Sequence, residues 1–204
     1  MMRVLLSIVL SLLAFPAFAQ TSPPAATPTP PVRVAIVTSE GQFVIEMDDR
    51  APISVRNFLR YVDRKRLDGI KFYRVAKVQD NFGFVQFGVQ GNPKRVLPPI
   101  AHEPTSQTGI KHTDMTLSLP RFKPGSAGGD FTIMVGDQPS FDADPSRPGD
   151  NLGYAAFAHV VEGRDVVVKI FDAPRSPTAT DRGFFKGEIP IAPVTIISAR
   201  RVVP

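Results

Sequence analysis

The stretch Arg33–Val62, RVAIVTSEGQFVIEMDDRAPISVRNFLRYV, decides the fold class. Its first half holds two short runs, VAIVTS and QFVIEM, rich in the β-branched and aromatic residues that suit a pleated, half-buried surface. Glu40-Gly41 between them is a hairpin turn signal. Pro52 then fits the first position of a helix, where its missing N–H leaves nothing unpaired. Val55, Phe58, Leu59 and Val62 follow at i, i+3, i+4 and i+7, an apolar stripe with Arg56, Arg60, Asp63 and Arg64 on the other faces.

Working outward, Leu67-Asp68-Gly69 ends the helical pattern and KFYRVAKVQDNFGFVQFGVQGNP (Lys71–Pro93) begins as an alternating strand. The alternation puts Ile70, Phe72, Arg74 and Ala76 on one side, so Arg74 is expected on the face that carries isoleucine and phenylalanine. Pro93 to Gly109 reads as loop. Met115–Pro120 and Phe131–Gly136 read as strands, separated by the glycine-rich loop Phe122–Asp130. A long turn-rich segment, DQPSFDADPSRPGDN, precedes a strand at Tyr154–Val161. A second helix fits Arg164–Phe171, where Val167, Ile170 and Phe171 share a face, and VTIISARRV closes the chain as a strand. Many short strands, two helices and no alternating βαβ rhythm imply an antiparallel barrel or sandwich capped by helices.

Upstream lies a leader: Arg3, the apolar run Val4–Ala14, Pro16, and the small-x-small site Ala17-Phe18-Ala19. The apolar run is shorter than the roughly 18 residues of a membrane span, so residues 1–19 are expected to be a cleaved signal peptide. Residues 20–32 (QTSPPAATPTPPV) read as a Pro/Thr-rich linker and 33–204 as one domain. The implied location is the periplasm, with no stable membrane insertion after signal removal. With no cysteine in the chain, disulfides and thiolate chemistry are excluded. The formal charge is +5, yet bases are interspersed with acids, which argues for a solvated basic surface and against nucleic-acid binding.

Few residues suggest conventional active-site chemistry. His102, His112 and His159 lack metal-like spacing to one another or to carboxylates and read as ordinary surface or loop histidines, so no metal site is expected. Asp142, Asp144 and Asp150 lack the glycine and closing glutamate of a calcium loop and read as a solvated loop. Pro124-Gly125-Ser126-Ala127-Gly128 lacks the context of a nucleophile elbow.

Taken together, VAIVTSEGQFVIEMDDRAPISVRNFLRYV, FYRV, VQG (Val89–Gly91), PPIAHEPTSQTGIKHTDMTLSLPR, DFTIMVG and GYAAFAHVVEGRDVV resemble the cyclophilin family of peptidyl-prolyl isomerases, in its bacterial exported branch. The resemblance implies an eight-stranded antiparallel barrel capped by two α-helices, no cofactor, and action as a monomer on proline-containing segments of unfolded exported proteins. It places Arg74 on the catalytic arginine and Gln90 on the glutamine that holds it, with Gln86 as a rival for that role. Substrate-binding positions fall on Phe87, Asp130, Phe131, Thr132, Phe141 and Tyr154. Several of these depart from the family pattern. Thr132 stands where a phenylalanine is usual, Asp130 for a glutamine, Gly88 for a methionine, Ser140 for a tryptophan and Tyr154 for a histidine. Pro120, Arg121 and Phe122 replace a small-residue stretch, and VAKVQDNFG reads as an insertion near the site. Two functions follow: an isomerase, or a non-catalytic peptide-binding module or holdase chaperone on the same fold.

Overall fold

The computed structural model describes residues 30–202. The signal peptide expected at 1–19 and nearly all of the linker expected at 20–32 lie outside the described residues. The elements run β1 (Arg33–Thr38), β2 (Gly41–Met47), α1 (Pro52–Asp63), β3 (Phe72–Gln79), β4 (Phe82–Gly88), the one-turn α2 (Thr105–Thr108), β5 (Thr116–Leu119) and β6 (Asp130–Val135). A single 3-10 turn (Pro139–Phe141) follows, then β7 (Ala155–Glu162), α3 (Arg164–Phe171), β8 (Arg175–Ser176), β9 (Ile189–Pro190) and β10 (Ile196–Arg201).

Eight strands form one antiparallel sheet in the order β10-β1-β2-β7-β5-β6-β4-β3, while β8 and β9 make a separate ribbon. The two outer edges of the large sheet meet. Phe72 N–H donates to Val194 O at 2.9 Å and Ile196 N–H to Ile70 O at 2.8 Å. Closure removes the unpaired edges that an open sheet presents. The expected eight-stranded barrel with two longer helices is therefore the observed architecture. The α2 turn lies in a stretch expected as loop, because four residues ended by Gly109 at φ 72° are too short to show a helical period.

α1 is capped from a distance. Ala51 offers no capping side chain. Instead the buried Glu103 carboxylate accepts Ile53 N–H at 2.9 Å, and Ser54 N–H and Oγ–H at 2.6 Å each. A carboxylate there satisfies otherwise orphaned donors and complements the helix dipole. The buried face is wider than the expected stripe. Asn57 and Tyr61 are also covered, with Asn57 Nδ2–H donating to Gly128 O and Tyr61 Oη accepting from Leu97 N–H.

Inside the barrel, Phe58, Phe72, Phe87, Phe131 and Phe157 are all fully buried. Phe72 and Phe87 have ring centroids 5.0 Å apart, and Phe58 meets Phe131 edge-on at 5.0 Å. One irregularity then sets the site. Phe72 lies opposite Phe87, but Arg74 lies opposite Gln86, so β3 carries an extra residue in between. Successive residues of β4 face opposite sides of the sheet. The bulge therefore turns Arg74 to the outer face, away from Phe72, contrary to the expectation from simple alternation.

Candidate active site on the outer face of the barrel

The outer-face residues form a row across three strand pairs. Arg74 on β3 is opposite Gln86 on β4, Gln86 opposite Thr132 on β6, and Thr132 opposite Ser118 on β5. Opposed residues of an antiparallel pair share a face. Arg74 Nη1–H donates to Gln86 Oε1 at 3.2 Å, and Nε–H donates to Glu188 Oε2 at 2.5 Å. The Phe185 ring lies 3.9 Å from the guanidinium carbon and the Phe84 ring 4.9 Å from it. A guanidinium has five N–H donors in one plane. These two hydrogen bonds leave Nη2 unpaired among the described residues. The side chain remains 21% exposed.

Beside the arginine is an aromatic wall. Phe84 meets Phe141 edge-on at 5.8 Å, and Phe141 lies 5.2 Å from Tyr154. A recess of about 310 Å³ opens next to it, bordered by Arg121, Phe122, Ser140, Asp150 and Tyr154. Arg121 forms paired 2.7 Å contacts to Asp150 and holds that carboxyl down at about 2.

Behind Phe141 a buried relay holds the wall in place. His112, Asp142 and Ser118 are joined by Nδ1 to Asp142 Oδ1 at 2.7 Å and Nε2 to Ser118 Oγ at 2.8 Å. An ionised carboxylate only accepts, so the proton belongs on Nδ1 and Nε2 accepts from the hydroxyl. Burial pushes His112 below its usual range, against the upward pull of Asp142. His112 is 1% exposed and 5.9 Å from the Phe141 ring. It is thus no surface histidine, and Asp142 is no free loop carboxylate. The fold brings them together across a sequence gap that no spacing rule covers. Ser118 is itself 1% exposed, so the trio cannot present a nucleophile to solvent.

Residues 33–201 match the sequence profile of the family described as cyclophilin type peptidyl-prolyl cis-trans isomerase/CLD. The chain belongs to this family. A peptidyl-prolyl cis-trans isomerase of Streptomyces antibioticus is 34% identical over 176 residues, covering 82% of this chain and 96% of that protein. Isomerase A of Dickeya dadantii is 32% identical over 199 residues, covering 94% of this chain and 92% of that protein. Among solved structures, a Cryptosporidium parvum cyclophilin type isomerase superposes with a TM-score of 0.67 at 18% identity, covering 85% of this chain and 98% of that one. The same protein in the presence of the dipeptide Ala-Pro gives 0.66, with 84% and 99% covered.

Within this cyclophilin fold the expected site residues separate into two groups. Arg74, Thr132, Phe141 and Tyr154 come together on the outer face. Phe87 and Phe131 do not: both are fully buried in the barrel interior, because β4 and β6 turn 85, 87, 131 and 133 inward. Phe84, not the expected substrate-binding Phe87, is the β4 phenylalanine on the arginine's face, 4.9 Å from its guanidinium carbon. Thr132 is 5% exposed, and its hydroxyl donates to Ser118 O at 3.3 Å. Asp130 accepts from Gln90 N–H at 2.9 Å and Tyr73 Oη–H at 3.3 Å, and burial pushes its carboxyl up.

Gln90 does not touch Arg74. Its side chain donates to Asp181 Oδ2 at 3.0 Å, so Gln86 is the amide on the guanidinium. The expected insertion explains the shift. β3 continues to Gln79 and β4 starts at Phe82, so these residues simply lengthen a hairpin in which Arg74 and Gln86 face each other. Counting back from the turn at Asp80-Asn81 would have set Arg74 opposite Phe87, because a register shift between Lys77 and Gln79 moves the pairing by one residue. Gly88 has no room for a methionine-like side chain. Its φ is +145° and an added Cβ would collide with Gly129 O and Asp130. Glu188 and Phe185 carry no motif and were reachable only through the fold.

Proposed function

We propose that this chain catalyses cis–trans isomerisation of X–Pro peptide bonds in exported polypeptides. The reading rests above all on Arg74, held on an accessible barrel face with Nη2 unpaired among the described residues, beside Phe84, Phe141 and Tyr154. Rotation about the imide bond faces a barrier of roughly 18–20 kcal/mol, because resonance makes C–N partly double. Twisting the bond makes the prolyl nitrogen pyramidal and returns its lone pair. The guanidinium Nη2–H can donate to that nitrogen, while the aromatic wall receives the pyrrolidine ring. A donor already aimed at charge that develops only in the twisted state lowers the barrier without stabilising either planar isomer equally. An acceleration of ~10⁵ asks for roughly 7 kcal/mol. Ring burial and peptide positioning must share that with the hydrogen bond.

A protease-coupled proline-peptide assay of Arg74→Ala tests the reading. The expected loss is about 100-fold in kcat/KM, or roughly 2.7 kcal/mol, with unchanged circular dichroism. Wild-type turnover in this variant removes the arginine from the mechanism. A second reading, a non-catalytic peptide-binding module or holdase chaperone, is favoured by one observation: Glu188 and Phe185 already occupy two sides of Arg74. Binding of a proline peptide without turnover selects it.

We infer further that the protein acts as a monomer in the periplasm after loss of residues 1–19. The leader's charge, apolar run and Ala17-Phe18-Ala19 site support export. N-terminal sequencing of the exported product checks it, with Gln20 as the expected first residue.

A further inference from the structure

We propose that Glu188 is a positioning residue for Arg74, an inference that rests on the isomerase reading above. An arginine on the outer face of a strand has a long, rotatable stem. A donor contributes to a twisted imide only if it is held in the productive geometry before the substrate arrives. Gln86 holds Nη1 alone, and one contact leaves the guanidinium free to swing about its own attachment. Glu188 supplies the second contact, at Nε on the other side of the group. Two contacts on different edges fix the plane, and the Phe185 ring 3.9 Å from the guanidinium carbon limits motion out of it. What remains is Nη2, the donor the reaction needs.

Glu188 can do this because its own backbone is anchored. Val75 N–H, next to the arginine on β3, donates to Glu188 O at 2.8 Å, and Glu188 N–H donates to Phe185 O at 2.9 Å. Ile189 starts the second strand of the β8–β9 ribbon, opposite Ser176. The preceding strap is tied by reciprocal 2.9 Å backbone hydrogen bonds between Asp181 and Phe184. Its far end is clasped by Gln90. The Gln90 amide donates to Asp181, and Arg182 donates to Gln90 O at 2.8 Å. Gln90 therefore acts on Arg74 only at second hand, by docking the strap that carries Phe185 and Glu188.

The test uses the full chain, with kcat and KM measured separately on a proline peptide for wild type, Glu188→Ala and Glu188→Gln. The arginine Nε–H resonance is followed by ¹⁵N NMR in each. Glu188→Ala is expected to lower kcat about tenfold, with KM within about twofold, and to lose the distinct Arg74 Nε–H signal. Glu188→Gln, which keeps an acceptor, is expected to recover most of kcat. In an Arg74→Ala background the Glu188 change is expected to have no further effect. An active wild type with kcat unchanged or raised in Glu188→Ala overturns the proposal, and a raised value would identify the strap as a restraint. Should Glu188→Ala not fold, loss of the Nε–H signal in Glu188→Gln without loss of kcat overturns it equally. An inactive wild type is a different failure: it sinks the isomerase reading, and this inference with it.

Discussion

The two faces of the β3–β4–β6 sheet both carry phenylalanine and do opposite things. On the inner face Phe72, Val75, Val85, Phe87, Phe131 and Ile133 are all fully buried and belong to the apolar core. On the outer face Arg74, Phe84, Gln86 and Thr132 meet polar partners, and the rings beside them remain partly open. Aromatic content does not distinguish the faces, since Phe84 and Phe87 sit three residues apart on one strand. Parity does. A ring that faces a closed barrel stabilises the fold, and one that faces the groove is available to a ligand.

Breaking the inner face should have the largest effect. Phe87→Ala is expected to cost about 3–5 kcal/mol of stability, read as a lower urea midpoint, while the surviving folded fraction keeps its turnover. A lost turnover with unchanged stability would place Phe87 in the site after all and erase the distinction between faces.

The buried relay behind Phe141 reaches the outer face through Ser118, which lies opposite Thr132. Replacing His112 by Asn leaves Asp142 and Ser118 under-satisfied and is expected to cost about 1–3 kcal/mol at about pH 7.5. The sign of the pH effect follows from burial, which pushes His112, His102 and His159 below the ordinary histidine value in the folded protein. The unfolded chain thus binds protons near about 6.5 that the folded chain still refuses. Stability is expected to be full above that value and to fall as pH drops through it towards the lowered folded values. Urea midpoints between about pH 7.5 and 5.5 measure this, and His112→Asn should flatten part of the slope. A midpoint indifferent to acid contradicts the burial argument.

The smallest effect sharpens the outer face itself. Gln86→Ala is expected to lower kcat/KM about tenfold, or roughly 1.4 kcal/mol, and Gln90→Ala by no more than about twofold, since only the former touches the guanidinium. A reversed ranking would return Gln90 to the arginine.

Much of this was legible in the chain. The β1–β2 turn, expected at Glu40-Gly41 and found one residue earlier at Ser39-Glu40, the start of α1 at Pro52 and the span of α3 all follow from turn chemistry and periodicity, which are local. The motif around Arg74 also identified the catalytic candidate, and Phe141 and Tyr154 were placed near it. The errors share one cause. Assigning Phe87, Phe131 and Gln90 to the site required knowing which way each strand faces, and β3 shifts register against β4 twice, between Phe72 and Arg74 and between Lys77 and Gln79. Glu188, Phe185 and the Asp142 partner of His112 could not be read at all, because each meets its partner across a long loop.

By itself the sequence determined short strands and two amphipathic helices in an antiparallel barrel or sandwich, since hydrophobic period and turn residues act over a few positions; closure into a barrel came from the resemblance to the family. Only the tertiary structure decided that Arg74 faces outward, that Gln86 and Glu188 hold it, and which phenylalanines are core. Those choices depend on strand register and on groups brought together from distant segments, and neither is encoded at any one position.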